Sequence, residues 1–171
     1  MKRRHILTGT AIAGMALTLT PVCGFAQQKT VKEQLVGTWS KVFSEQTYPD
    51  GRKEQYISDN PKGISTFDAY GRFSVIFVRS DFSREPSNDG VKPTPEEALA
   101  IAKGALSYYG TYTVNEADQT LTLDVEGTSF ARTLGLVQTR LITRISDRSF
   151  TVRNTKTHAG EQIELIYTRI K

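Results

Sequence analysis

Between residues 37 and 170 the chain breaks into nine short β-type runs, each closed by turn-forming residues. They are GTWSKVFSEQ, RKEQYI, ISTFD, RFSVIFVRS, YGTYTVNE, TLTLDVEG, VQTRLITRIS, SFTVRNTK and EQIELIYTRI. Turns fall at Tyr48-Pro49-Asp50-Gly51, Asn60-Pro61-Lys62-Gly63, Ala69-Tyr70-Gly71, Ala117-Asp118, Asp147 and Gly160. Runs this short, joined this tightly, pair with their sequence neighbours as an antiparallel meander. Such a sheet must manage two open edges, and closing it removes them. The expectation is a mainly β, antiparallel up-and-down barrel of eight or nine strands. A barrel of about eight strands can hold one small ligand.

Two stretches depart from the β pattern. Lys32 to Leu35 predicts a single helical turn ahead of the first strand. TPEEALAIAKGALSYY, residues 94–109, predicts the one full helix, in a mid-chain connection after the polar loop DFSREPSNDGVKP. Thr94 is a good N-cap, Pro95 suits the first helical position, and Glu97 completes a capping box. Ala98, Ile101, Ala102 and Ala105 would form its apolar face.

Residues 1–26 have a basic start, an apolar middle and small residues at the end, the layout of an export signal. The apolar part, about Ala11 to Val22, is shorter than the roughly 20 residues a membrane span needs. Cleavage after Ala26 would leave residues 27–171 as one barrel domain, periplasmic or secreted. Arg3-Arg4-His5-Ile6-Leu7 fits both a twin-arginine signal and an ordinary basic leader. Thr20-Pro21-Val22 ahead of Cys23 does not make a lipidation site. The whole chain has 22 basic and 18 acidic residues. The leader takes Lys2, Arg3 and Arg4 with it, leaving 19 against 18 and no concentrated basic patch for nucleic acid. Cys23 and His5 also leave. His158, in a polar turn, is then the one histidine, too few for a Cys/His zinc site and poor material for a Ser-His-Asp triad. No metal and no cofactor is expected.

Gly37-Thr38-Trp39, at the mouth of the first strand, resembles the lipocalin G-x-W signature. LVGTW, PDGR, NPKGISTFDAYGRFSV, TPEEALA, YYGTYTV, VEGT and VQTR, in that order, resemble the bacterial lipocalin-like domain family over nearly the whole span after the leader. The resemblance implies a lipocalin-like barrel whose closed end is plugged by Trp39, with Gly37 at its approach and Arg169 across the indole ring. Phe67 stands where the family usually has tyrosine, Asp124 where a histidine is expected, and ARTLG where a proline and an aromatic are usual. Those departures weaken any activity that would use that histidine.

Strand alternation supplies candidate ligand-binding residues. Phe73, Val75, Phe77 and Arg79 share a face, as do Gln138, Arg140, Ile142 and Arg144, and Tyr108, Gly110, Tyr112 and Val114. Arg79, Tyr109, Tyr112, Glu126, Gln138 and Arg140 are the candidates, because an arginine among aromatics can hold a carboxylate or phenolate in an apolar cavity. The competing placements are a buried Arg79–Glu126 or Arg140–Glu126 pair, or the surface. Glu45, Glu54 and Asp124 are available general acids, but no spacing singles out a catalytic pair. The leading expectation is an exported barrel binding a small apolar or amphipathic molecule, with no membrane span after the leader. The alternatives are a cofactor-free isomerase or cyclase using the same cavity, and an envelope interaction module with a filled core. Fold alone does not choose among them.

Overall fold

The structure is a computed structural model and describes residues 28–55, 62–80, 92–154 and 160–171. The expected export signal, residues 1–26, together with His158 and most of the loop after Arg79, lies outside the described residues. In chain order the elements are α1 (Val31–Leu35), β1 (Gly37–Thr47), β2 (Lys53–Gln55), β3 (Lys62–Phe67), β4 (Arg72–Val78), α2 (Pro95–Gly104), β5 (Ala105–Asn115), β6 (Thr120–Thr128), β7 (Val137–Ile145), β8 (Ser149–Asn154) and β9 (Gln162–Arg169). A single 3-10 turn, Ala131–Thr133, sits between β6 and β7. All strand pairings are antiparallel, and β9 pairs back onto β1 to close the sheet. Eight strands make the barrel. The short β2 is an extra ribbon beside the far half of β1.

The expected helix at 94–109 is half strand. Its N-terminus is as read, with Thr94 and Glu97 exchanging capping-box hydrogen bonds and Pro95 in the first turn. It stops at Gly104, and Ala105 to Thr111 pair with β4. Without that pairing the β4 groups from Arg72 to Val78 that face away from β3 would lose their partners, and Ser107, Tyr108 and Tyr109 suit a strand better than a helix. The expected apolar face of α2 is not buried; of its residues only Gly104 is.

The barrel has two unlike ends. Where β1 begins and β9 finishes, α1 lies across the opening. Thr30 and Glu33 cap it as a box. The Glu116 carboxylate, from the β5–β6 turn, accepts from the Val31 and Lys32 amides at 2.8 and 3.0 Å, a favourable place for an anion at a helix start. Beneath α1, Trp39 is wholly buried and donates from Nε1 to the Leu35 carbonyl at 2.8 Å. An aromatic stack continues inward: Trp39 meets Phe150 edge-on at 4.7 Å, and Phe150 lies parallel to Tyr167 at 4.4 Å. Phe67, Phe73 and Tyr112 fill the space beside it.

β1 carries an irregularity that alternation alone does not foresee. Its register with β9 shifts between Lys41 and Phe43, so Val42 is an extra residue, 51% exposed. Trp39 and Lys41 point inward before the bulge, and Ser44 and Gln46 after it. Strict alternation would have sent Phe43 and Glu45 inside.

Candidate functional site

The half of the barrel away from Trp39 is hollow. A cavity of about 460 Å³ opens where β1, β4 and β8 end and β5, β7 and β9 begin. Phe77, Leu106, Phe130, Ile163 and Leu165 form its apolar wall. Gln46, Tyr108, Gln138, Arg140 and Asn154 supply its polar atoms, and Ala102 and Lys103 bring the end of α2 to its mouth. The backbone N–H of Arg79 donates to the Gly104 carbonyl at 2.8 Å, fixing that helix end to the tip of β4.

Arg140 is the principal charge in the wall. It is 7% exposed, and Nη2 donates to the Tyr108 hydroxyl and to Gln138 Oε1, both at 2.9 Å. Tyr108 and Gln138 thus fix the plane of the guanidinium. The Oδ1 of Asn154 is buried and accepts no hydrogen bond among the described residues.

A second cation lies deeper. Lys41 is 2% exposed, and its Nζ sits 3.9 Å from the centroid of the Phe77 ring. The side chain starts on β1 and reaches past β3 to β4, while Arg140 acts on it from β7. Burial, and then the Arg140 guanidinium, push the Lys41 amine down to about 7. Burial likewise raises the Tyr167 phenol, directly paired in register with Lys41. Among the described residues no Asp or Glu stands at an inward position of the barrel. Glu45, Glu126 and Glu164 instead pair with Lys53, Arg72 and Arg153, which are largely exposed.

The six residues proposed from the sequence fall in several places. Gln138 and Arg140 meet in the cavity wall. Tyr112 is inward but belongs to the packed half, its hydroxyl donating to the Asp68 carbonyl at 2.5 Å and its phenol pushed up to about 12 chiefly by burial. Tyr109 points out and covers the open space above Gly127. Glu126 is also outside, where its carboxylate accepts from Nη1 and Nη2 of Arg72 at 2.7 and 2.8 Å rather than from Arg140 in the cavity wall. Arg79 is half-buried just past β4 and is not part of the cavity wall. The cause for Tyr109 and Glu126 is the two-residue period, which puts each opposite an inward neighbour, Tyr108 and Val125. Lys41 was missed although it stands two residues from Trp39 and shares its face. Gln46 was hidden by the bulge.

The Arg169 guanidinium lies 4.0 Å over the Trp39 ring. It also donates to three carbonyls: Asp147 at 2.7 Å, Val36 at 2.8 Å and Gln34 at 2.6 Å. Gly37 has φ +140°, and a Cβ there would run into Arg169 Nη1, which is why glycine precedes this tryptophan.

A closed antiparallel barrel, sealed by a tryptophan at one end and hollow at the other, defines a single-mouthed β-barrel whose interior can enclose one small molecule. The lipocalin-like domain model matches residues 36–169, and the chain belongs to that family. No curated protein sequence matches it. Similar solved structures include a lipocalin-like protein from Bacteroides uniformis, at 15% identity and TM-score 0.45, covering 80% of this chain and 99% of that one. A redesigned β-barrel has 16% identity, TM-score 0.45, and coverage of 82% and 95%. Bovine odorant binding protein in complex with a selenium-containing odorant has 14% identity, TM-score 0.43, and coverage of 85% and 76%.

Proposed function

We propose that this protein is exported and binds a small, largely apolar molecule in the barrel cavity, with an oxygen-bearing end of that molecule, carboxylate or phenolate, turned toward Arg140. The observation that carries the reading is the cavity itself: about 460 Å³, one mouth, an apolar wall and a buried arginine held in place by Tyr108 and Gln138. This is the usual make-up of a small-molecule site, apolar with a few placed polar groups. Arginine presents donors in a planar fork suited to an acidic oxygen. The buried Asn154 Oδ1 adds an acceptor for a donor on the ligand.

Anilinonaphthalene sulfonate, an anionic apolar fluorophore, tests the reading. It should bind once per chain with strong enhancement. Leu106→Trp, which fills the mouth, should weaken it about tenfold or more. Unchanged affinity in that variant would place the dye on the exposed surface patch formed by Leu134 and Val137 and remove the support for a cavity ligand.

Export rests on residues 1–26. Changing Arg3 and Arg4 both to Lys keeps the charge and should strand precursor in the cytoplasm if the twin-arginine route is used. Undiminished periplasmic yield would assign the ordinary secretory route. Cleaved protein should begin at Gln27, and a lipid-bearing N-terminus at Cys23 would overturn the soluble assignment.

A further inference from the structure

We propose that Lys41 is a covalent docking point for carbonyl ligands: an apolar aldehyde enters the cavity, turns its oxygen toward Arg140 and condenses with the Lys41 amine as a Schiff base. The inference rests on the cavity-binding reading and adds the chemical class of ligand and a bond.

Position is the first ground. Lys41 stands on the inward face of β1, and its Nζ lies against Phe77, a residue of the cavity wall. Arg140, on β7 and also in the wall, acts on that nitrogen too. Lys41 is not itself a lining residue; its amine lies against the Phe77 ring, which is one, and its flexible four-carbon stem can carry it to the cavity. Phe77 from β4 and Arg140 from β7 act on the amine, and Tyr167 on β9, the register partner of Lys41, is itself in reach of Ser65 and Arg140.

Reactivity is the second ground. A lysine acts as a nucleophile only as the free base, and burial beside another cation is the established way to supply it. With its amine at about 7, roughly half of Lys41 is neutral at pH 7, against about one part in a few thousand for an exposed lysine at 10.5. Lower basicity also lowers intrinsic nucleophilicity, by analogy with thiols about 40-fold over this interval. The net advantage remains above tenfold.

The step balances without a co-reactant. The nitrogen lone pair attacks the carbonyl carbon, and the C=O π pair moves to oxygen beside the Arg140 guanidinium. The two amine hydrogens leave with that oxygen as water, and a neutral C=N bond remains. The same guanidinium that depresses the amine disfavours protonation of the imine. Leu106, Ile163 and Leu165 surround the aldehyde's tail.

The test uses the mature protein with decanal at pH 7, quenched at set times with sodium borohydride, which reduces a neutral imine, followed by peptide mass mapping. The expected result is one adduct per chain at Lys41, formed at least about tenfold faster than at exposed Lys53 or Lys62 and suppressed by saturating fluorophore. Lys41→Met should abolish the adduct while the fluorophore still binds. Because that variant alters the core, the wild-type map is itself decisive. Adducts confined to exposed lysines, with decanal displacing the fluorophore, would overturn covalent capture and leave cavity binding standing. Decanal that neither displaces the fluorophore nor labels Lys41 would overturn this proposal, and a fluorophore that binds Leu106→Trp as well as wild type would bring down the binding reading.

Discussion

Replacing Trp39 with alanine should lower the unfolding free energy by about 3 to 5 kcal/mol, because it empties a wholly buried site walled by Leu35 and Phe150. Arg169→Ala should cost about 2 to 4 kcal/mol. It removes the cation over the indole and leaves the carbonyls of Gln34, Val36 and Asp147 without their charged donor. The double variant should fall short of the sum by about 0.5 to 2 kcal/mol, since both single changes delete the shared contact. Urea unfolding of the four proteins measures the cycle. Trp39 is the chain's single tryptophan, so Arg169→Ala should also shift its emission, while fluorophore affinity at the far end stays within about twofold. Strict additivity, or a loss of fluorophore binding in folded Arg169→Ala, would contradict a purely structural closed end.

Lys41→Met should raise stability at pH 6 by about 3 to 5 kcal/mol and flatten the pH profile. The folded amine titrates at about 7 and the unfolded one at 10.5. Below 7 both forms carry the proton and the penalty of burying it is complete. Between 7 and 10.5 the unfolded chain binds more protons, so wild-type stability climbs with pH; above 10.5 the penalty is gone. The amine faces Arg140 and Phe77, and the raised phenol of Tyr167, its register partner, stays neutral throughout that window. Other titrating groups are common to both proteins and cancel in their difference. A wild-type to Lys41→Met gap that is the same at pH 6 and pH 10 would mean that the buried amine keeps an ordinary proton affinity.

Strand existence, order and closure were legible because each run is short and ended by a turn with a stated mechanism, as at Pro49-Asp50-Gly51 and Ala69-Tyr70-Gly71. The plug was legible because Gly37, Trp39 and Arg169 sit at fixed ends of the first and last strands. The cavity wall was only partly so. Within one strand alternation is reliable, and Gln138 with Arg140 followed from it. Which charges meet across strands depends on register. Glu126 faces Arg72 rather than Arg79 because β4 and β6 flank β5, and Arg72 and Asp124 pair with the same residue, Thr111. The helix boundary at Gly104 was invisible locally, because it is set by a hydrogen-bonding partner in β4 some thirty residues earlier.

The extra residue in β1 acts on side chains as a frameshift acts on codons. Upstream of Val42 the strand is read in one phase and puts Trp39 and Lys41 inside; downstream it is read in the other and puts Ser44 and Gln46 inside. Deleting Val42 would remove the bulge and keep the phase, because Trp39, Lys41, Ser44 and Gln46 would then alternate without interruption and stay inside; keeping Val42 but pairing β1 without the bulge would instead turn Phe43 and Glu45 inward. The bulge, rather than the identity of any lining residue, therefore keeps the Glu45 carboxylate out of the barrel interior. In a barrel of this kind, where a strand absorbs an extra residue shapes the interior as directly as substitution does.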